Sequence, residues 1–140
     1  MIITYQHIDV TAASKLVAYA MEHAVANGWN IAVCVVDGAG STVASARMDG
    51  VQSQILLFAE DKAFTAATMR RSTSEYFERM EQSPSLRLGL MSRDRLLVWG
   101  GGVPINYKGT IVGGIGVSGA QEQEDTACAT EALRRIGLTG

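Results

Sequence analysis

The residues best suited to chemistry are a few isolated polar side chains and a run of three glycines, Gly100-Gly101-Gly102, that leads into a strand through Pro104. Successive backbone amides in such a run can form a concavity that binds an anion. Arg47 and Lys62 could supply cations for carboxylates. Ser118 ends a second glycine-rich stretch and could offer a hydroxyl. Together these residues predict a pocket for an anionic, flat organic ligand.

Glycine is concentrated in one part of the chain. Nine of the 15 glycines fall between residues 89 and 119. Because glycine has no Cβ, a glycine-rich strand usually marks a bulge, a crossing or a place where something approaches the backbone. The alternative is that these glycines serve only strand crossing and subunit packing. The sequence alone is compatible with both interpretations.

Several familiar kinds of site are missing from the sequence. There is no GxGxxG between a strand and a helix, no GxxxxGK[ST] phosphate loop, no HExxH motif and no paired-carboxylate arrangement. The two histidines and two cysteines lack the spacing of a zinc site, so we predict no metal site and two reduced, buried thiols. The net charge of −2 is scattered, which argues against a nucleic-acid partner.

The composition predicts an ordinary soluble protein. A length of 140 residues suits one domain with its own core, so we treat residues 1–140 as a single domain. No apolar run approaches the length of a membrane span, and no charged-then-apolar segment opens the chain. We therefore expect a cytoplasmic protein without a membrane partner.

The elements that must position the polar residues begin with a helix and a hairpin. Asp9 is suited to cap the first helix and Gly28 to end it. Residues 31–37 and 41–48 predict a hairpin. A helix over about 53–70 then carries Lys62 on a surface of small residues, where it either snorkels to solvent or presents a cation to a pocket.

The second half of the chain continues in the same way. A capping box at Ser72 starts a short helix, residues 85–94 predict a compact loop or helical turn, and residues 96–99 predict a short strand. Residues 103–107 and 110–118 predict a hairpin, and residues 121–136 the last helix. The order α-β-β-α-α-β-β-β-α predicts an α/β fold of the α+β type, with one five-stranded, mostly antiparallel sheet flanked by helices.

Five motif blocks follow one another through about residues 9–137. They are Val35-Val36-Asp37-x-x-Gly40, Arg47-Met48-Asp49-Gly50, Lys62-Ala63-x-Thr65-Ala66, Gly100-Gly101-Gly102-Val103-Pro104-Ile105 and Gly113-Gly114-Ile115-Gly116-Val117-Ser118-Gly119, followed by Asp125 and Ala129. In this order the blocks resemble the GlcG/HbpS family, which includes the C-terminal domain of PduO-type proteins.

The resemblance implies a profilin- or PAS-like sheet of five strands and homo-oligomers from dimers to octamers. It implies haem or a corrinoid-type molecule as the candidate cofactor, in haem handling or small-molecule catabolism. None of the motif residues is a usual axial ligand of haem iron. The candidate ligands therefore lie outside the motifs and are His7, His23, Tyr107 or a methionine.

Two functions follow, with an oligomeric scaffold without chemistry as a third alternative. The first is a binding protein for haem, a corrinoid or another anionic planar ligand, with a binding site formed by Arg47, Thr65, Gly101, Gly102, Pro104 and Ser118. The second is a catabolic enzyme, a tautomerase, isomerase or imine/enamine hydrolase, acting on a small carboxylated intermediate. In that enzyme Lys62, Asp49 or Tyr107 would shuttle a proton. Arg47 and the amides of Gly101 and Gly102 would bind a carboxylate or a developing oxyanion.

Overall fold

The structure is a computed structural model that describes all residues from 1 to 140. It contains five helices and four strands in the order α-β-β-α-α-α-β-β-α, which confirms the α+β class. The elements are α1 (Val10–Asn27), β1 (Ala32–Asp37), β2 (Thr42–Arg47), α2 (Ser53–Met69), α3 (Thr73–Glu81), α4 (Pro84–Leu90), β3 (Gly102–Tyr107), β4 (Thr110–Ser118) and α5 (Glu122–Arg135).

The four strands form one antiparallel sheet in the order β2-β1-β4-β3. Each outer strand belongs to a hairpin, β1–β2 or β3–β4, and the two hairpins meet where β1 pairs with β4. That central pairing runs from Ala32 opposite Ser118 to Asp37 opposite Gly113. The glycine-rich strand β4 is therefore in the interior of the sheet.

The predicted fifth strand at residues 96–99 is wrong. Thr65 on α2 donates its hydroxyl to the Arg95 carbonyl at 3.0 Å and accepts from the Leu97 amide at 2.9 Å. The Trp99 ring stands edge-on to Phe58, with ring centroids 5.1 Å apart. Polar backbone groups of this segment are thus used by a side chain of α2, so the segment lies along the helix instead of joining the sheet.

The additional element is the short helix α4, in a region predicted as a loop or a helical turn. Pro84 occupies its first turn, where a missing amide proton costs nothing. Other helix ends follow their local signals: the Asp9 carboxylate accepts from the Ala12 amide at 2.8 Å, and Gly28 ends α1 in the left-handed conformation with φ of 76°. None of the helices combines the length and apolar character needed to cross a bilayer.

The sheet separates two layers of helices. Alternate residues of β1 and β4 point to opposite faces, so one face packs against α1 and α5 and the other against α2. The first face carries Val33, Val35, Ile115 and Val117, and the second carries Ala32, Cys34, Val36, Gly114 and Gly116.

Candidate functional site

The glycines of β4 allow the backbone of α2 to lie directly on the sheet. A Cβ added to Gly114 would stand 2.5 Å from the Ala63 carbonyl oxygen, and one on Gly116 would stand 2.5 Å from the Ala63 amide and closer still to the Ala59 carbonyl. Real Cβ atoms do not approach other atoms so closely. What comes close to the glycine-rich strand is therefore helix α2 itself.

The amides of the glycine triplet are largely engaged within the chain. The Gly100 amide donates to the Glu122 carboxylate at 3.0 Å, and the Gly102 amide donates to the Thr73 hydroxyl at 3.0 Å. Gly101, with φ of 124°, lies against β4, and its carbonyl accepts from the Val117 amide at 3.0 Å. The ligand-binding roles of Gly101 and Gly102 stay predictions.

Lys62 is the most deeply buried cation of the protein. Its ammonium lies 3.2 Å from Asp125 Oδ2 and donates to the Val117 carbonyl at 2.9 Å. The side chains of Lys62 and Asp125 are only 2% and 3% exposed. The other carboxylate oxygen of Asp125 accepts from the Ala120 amide at 3.0 Å. Lys62 therefore neither snorkels to solvent nor faces an open pocket, but ties α2 to β4 and α5.

Burial dominates the electrostatics of this pair. Desolvation lowers the pKa of Lys62 and raises the pKa of Asp125, because a low-dielectric interior penalises both charged forms. The opposite charge of each partner works against these shifts. A proton shuttle at Lys62 would require the pair to open first.

Arg47 and Ser118 lie on the same face of the sheet, in one row across it. Both are opposite Ala32, on either side of β1, so they are about 10 Å apart. The Arg47 guanidinium donates to the Val51 carbonyl, which holds the turn after β2. Asp49 is exposed in that turn.

The remaining predicted residues lie elsewhere. Thr65 is buried under the segment that it holds beside α2. Pro104 is buried in β3 opposite Gly114. Tyr107 is at the far end of β3, five residues and about 16 Å along the strand from Gly102. The structure thus does not bring Lys62, Asp49 and Tyr107 together.

A cleft that the sequence did not reveal lies beside the N-terminal segment. It has a volume of about 820 Å³ and is bounded by the N-terminal segment, α1, the β3–β4 hairpin and the end of α5. Three of the four tyrosines line it, Tyr5, Tyr19 and Tyr107, together with His7. Such a volume is within the range of small-molecule sites. We name it the tyrosine cleft.

The charges of the tyrosine cleft are mostly paired. Arg135 contacts Glu22 at 2.7 Å and Glu131 at 3.2 Å. The Asp9 carboxylate caps α1. Lys15 is exposed and forms no ion pair, which leaves it as the cation available to a bound carboxylate.

His7 is held in one tautomer. Its Nδ1 accepts a hydrogen bond from the Gly38 amide at 3.0 Å, so the proton of the neutral ring is on Nε2. In this conformation His7 presents a hydrogen-bond donor and not a metal ligand. The other histidine, His23, packs edge-on against Trp29 outside the cleft, with ring centroids 5.9 Å apart. No group of three or more His, Cys, Asp or Glu side chains is arranged to hold a metal ion.

Known proteins resemble this chain over most of its length. A family model described as "Haem degrading protein HbpS-like" matches residues 8–134. The chain is 35% identical over 125 residues to an uncharacterized 15.0 kDa protein of the dhaT-dhaS intergenic region of Citrobacter freundii, which covers 87% of both chains. It is 34% identical over 106 residues to protein GlcG of Escherichia coli K12, or 76% of this chain and 77% of GlcG.

Solved structures share the fold. One is a crystal structure of an HbpS double mutant from Streptomyces reticuli, whose sequence is 34% identical to this chain. The two structures superpose with a TM-score of 0.89 over 97% of this chain and 91% of the HbpS chain. A crystal structure of a PduOC–haem complex superposes with a TM-score of 0.86 over 94% of this chain and 96% of its own. At 24% identity, that second likeness concerns the fold alone.

Proposed function

This chain belongs to the HbpS-like family, and from that premise we propose that it binds haem or a similar planar tetrapyrrole with carboxylate groups. The family resemblance that the motif blocks indicated is thereby confirmed, while haem binding by this chain is the proposal. The proposed position of the ligand is the tyrosine cleft and not the glycine-rich strands, because α2 already covers the latter.

The observation that carries the proposal is the concentration of aromatic rings in one cleft. Aromatic residues make up only 6% of the chain, yet three of its four tyrosines and His7 line this cavity. Flat apolar ligands are bound well by such rings, which contribute large contact areas. The family's haem-related description supports the same class of ligand, and PduOC shows that the fold can bind haem.

The polar groups of the cleft fit haem in a specific way. Of the candidate axial ligands, His7 and Tyr107 line the cleft and His23 does not. His7 Nδ1 is engaged by the Gly38 amide and its Nε2 carries the proton, so Tyr107, which is 43% exposed, is the better candidate. Tyrosine is a known axial ligand of haem iron. In this arrangement Tyr107 would hold the iron, His7 would donate a hydrogen bond, and Lys15 would pair with a carboxylate.

A haemin titration followed by absorbance tests the proposal. We expect a Soret shift that saturates at one equivalent, is lost in Tyr107→Phe and is kept in Tyr5→Phe. The second variant removes a hydroxyl from the same cleft and leaves the proposed iron ligand, Tyr107, unchanged. His7→Ala should weaken haemin binding but keep the Soret shift that depends on Tyr107. Non-saturating binding that is indifferent to all three substitutions would reject the proposal.

We also propose that the chain self-associates. Helix α4 buries none of its residues, and its neighbourhood exposes Leu88 and Met91 by 71% and 84%. The N-terminal Ile2 and Ile3 are also exposed, by 94% and 76%. Clusters of exposed apolar residues often mark interfaces. Light scattering should give a multiple of the 14.9 kDa chain mass, and a monomer at all concentrations would contradict this.

A further inference from the structure

A second cavity lies behind the N-terminal segment. Its volume is about 390 Å³, and Tyr5, Gln6 and His7 form a wall that it shares with the tyrosine cleft. The rest of its lining comes from the turn after β1, from the end of α2 and from Ile111 at the start of β4. The lining residues outside that shared wall have no role in the proposed binding of a tetrapyrrole.

Arg70 is the only residue with a permanent charge in the lining of this cavity. It follows the last residue of α2 with φ of 58° and ψ of 37°, the left-handed conformation that usually belongs to glycine at this position. A side chain with a Cβ is strained there. Backbone strain of this kind is concentrated at functional sites in proteins, and here it lies beside a cavity.

Arg70 differs from Arg95, the other arginine with a positive φ, in having no partner for its guanidinium. Arg95 has φ of 69°, but its guanidinium stacks 3.8 Å above the Phe64 ring centroid and lies 4.0 Å from Asp61. The Arg70 guanidinium has no ion-pair partner and no hydrogen bond within the chain. A cation at the C-terminus of α2 suits the helix dipole, yet that effect does not require the left-handed conformation.

The surroundings of Arg70 favour an anion. No Asp or Glu lines the cavity. The nearest carboxylate along the adjacent turn, Asp37, accepts from the amides of Ala39 and Ser41 at 2.9 and 3.1 Å and is thus already engaged. The apolar part of the lining includes Ala39, Ala67 and Ile111.

We propose that this cavity is a second binding site, separate from the tyrosine cleft, for a small carboxylate with an apolar body. The guanidinium of Arg70 pairs with the carboxylate in its planar fork geometry. Ala39, Ala67 and Ile111 contact the apolar part of the ligand. The strained conformation of Arg70 places its cation at this site, where a glycine would give a relaxed helix end without a charge.

Sodium benzoate is the probe for this site, and ¹⁵N chemical shifts of the whole protein report its binding. We expect saturable shifts at the amides of Gly38, Ala39 and Arg70, and no such shifts with benzyl alcohol, which has the same ring without the charge. Arg70→Ala and Arg70→Gly should each weaken benzoate binding at least tenfold, whereas Arg70→Lys should keep part of it. Absence of saturable shifts, or unchanged binding in Arg70→Ala, would overturn the proposal.

Thermal unfolding of the same variants tests the role of strain. Arg70→Gly removes the charge and relieves the left-handed strain, whereas Arg70→Ala removes the charge and keeps the strain. We expect the melting temperature of Arg70→Gly to exceed that of Arg70→Ala by about 2–4 °C, with equal loss of benzoate binding. Equal melting temperatures would overturn the argument from strain. Because benzoate and not haemin is the probe, the result is independent of whether haem binds in the tyrosine cleft.

Discussion

The two faces of the central sheet are packed in opposite ways. On the face toward α1 and α5, branched aliphatic side chains such as Val35 and Ile115 fill the space between the layers. On the face toward α2, Gly114 and Gly116 meet the backbone of a helix whose contact positions are alanines. One face therefore keeps its layers apart with side chains, and the other brings two backbones together.

The difference separates structural from ligand-binding roles. Close backbone contact leaves no room for a ligand at the α2 face, so the polar residues there, above all Lys62 and Asp125, are engaged with each other. The tyrosine cleft and the cavity beside Arg70 both lie where the N-terminal segment packs against the rest of the chain. The glycine-rich motif of β4 in this chain is consequently a mark of helix–sheet contact.

The largest effect on the α2 face should come from breaking its buried ion pair. Lys62→Met leaves Asp125 without its cation in an apolar environment, and loss of one partner of a buried pair costs about 3–5 kcal/mol. Denaturant unfolding monitored by circular dichroism measures the change. The double variant Lys62→Met/Asp125→Asn, which keeps an acceptor for the Ala120 amide, should recover much of the stability.

The same variant has a defined pH dependence. Burial raises the pKa of Asp125 in the folded state, so its contribution to stability is present below the unfolded pKa of about 3.9 and is lost as the pH rises through the folded pKa. Removing Lys62 removes the main opposing influence on that pKa. The deficit of Lys62→Met should therefore shrink as the pH falls toward about 4. A loss of unfolding free energy that grows in acid would contradict a raised pKa for Asp125.

Adding a methyl group where α2 contacts β4 should have the next largest effect on the free energy of unfolding. In Gly116→Ala the new methyl group overlaps the backbone of Ala59 and Ala63, which should cost about 1–3 kcal/mol or more. Gly89→Ala is the control, because it meets nothing within 4 Å and lies in helix α4, where alanine is favoured by about 1 kcal/mol. Equal free energies of unfolding for the two variants would remove the distinction between the faces.

Shortening a side chain on the face toward α1 and α5 should reduce the free energy of unfolding by less. Ile115→Val, at the residue between Gly114 and Gly116, deletes one methylene from the contact with α1 and α5, at a cost of about 0.5–1.5 kcal/mol. The same denaturant experiment measures it. A loss as large as that of Gly116→Ala would mean that the two faces respond alike.

The smallest effect is expected at the thiols, one on each face. Burial raises the pKa of Cys34 to about 11 and that of Cys128 to about 12, so neither thiolate is populated in the native protein. A thiol reagent used near the ordinary thiol pKa of about 8.5 should therefore label neither cysteine until the protein unfolds. Rapid labelling of one cysteine in the native state would identify a face that opens locally.

Local signals in the sequence predicted most of the elements. Helix caps such as Asp9 and Gly28 act through their own backbone neighbours, so they can be recognised without the tertiary structure. The run at residues 96–99 misled the prediction because its apolar residues suit a strand. In the structure the hydroxyl of Thr65, from α2, accepts from the Leu97 amide and donates to the Arg95 carbonyl just before the run. At these residues a tertiary contact with α2 outweighs the strand propensity of the segment.

The sites were harder to predict because their walls come from distant parts of the chain. The small apolar neighbours of Lys62 mark it in the sequence, but its pairing with Asp125 exists only once α2 and α5 are both packed on the sheet. The tyrosine cleft requires the N-terminal segment, which the Ile8 amide attaches to the Val112 carbonyl at 2.9 Å. Neither contact has a sequence spacing that would indicate it.

The pairing of β1 with β4 also has a consequence for the order of folding. Each hairpin can form from neighbouring residues, but the central pairing closes a loop that contains α2, α3 and α4. Closing such a loop has an entropic cost before any contact compensates for it, and chains dominated by distant pairings fold slowly. The platform on which α2 rests, contributed by both β1 and β4, does not exist until that step is complete. Helix docking and sheet closure are therefore expected to occur as one late, rate-limiting event.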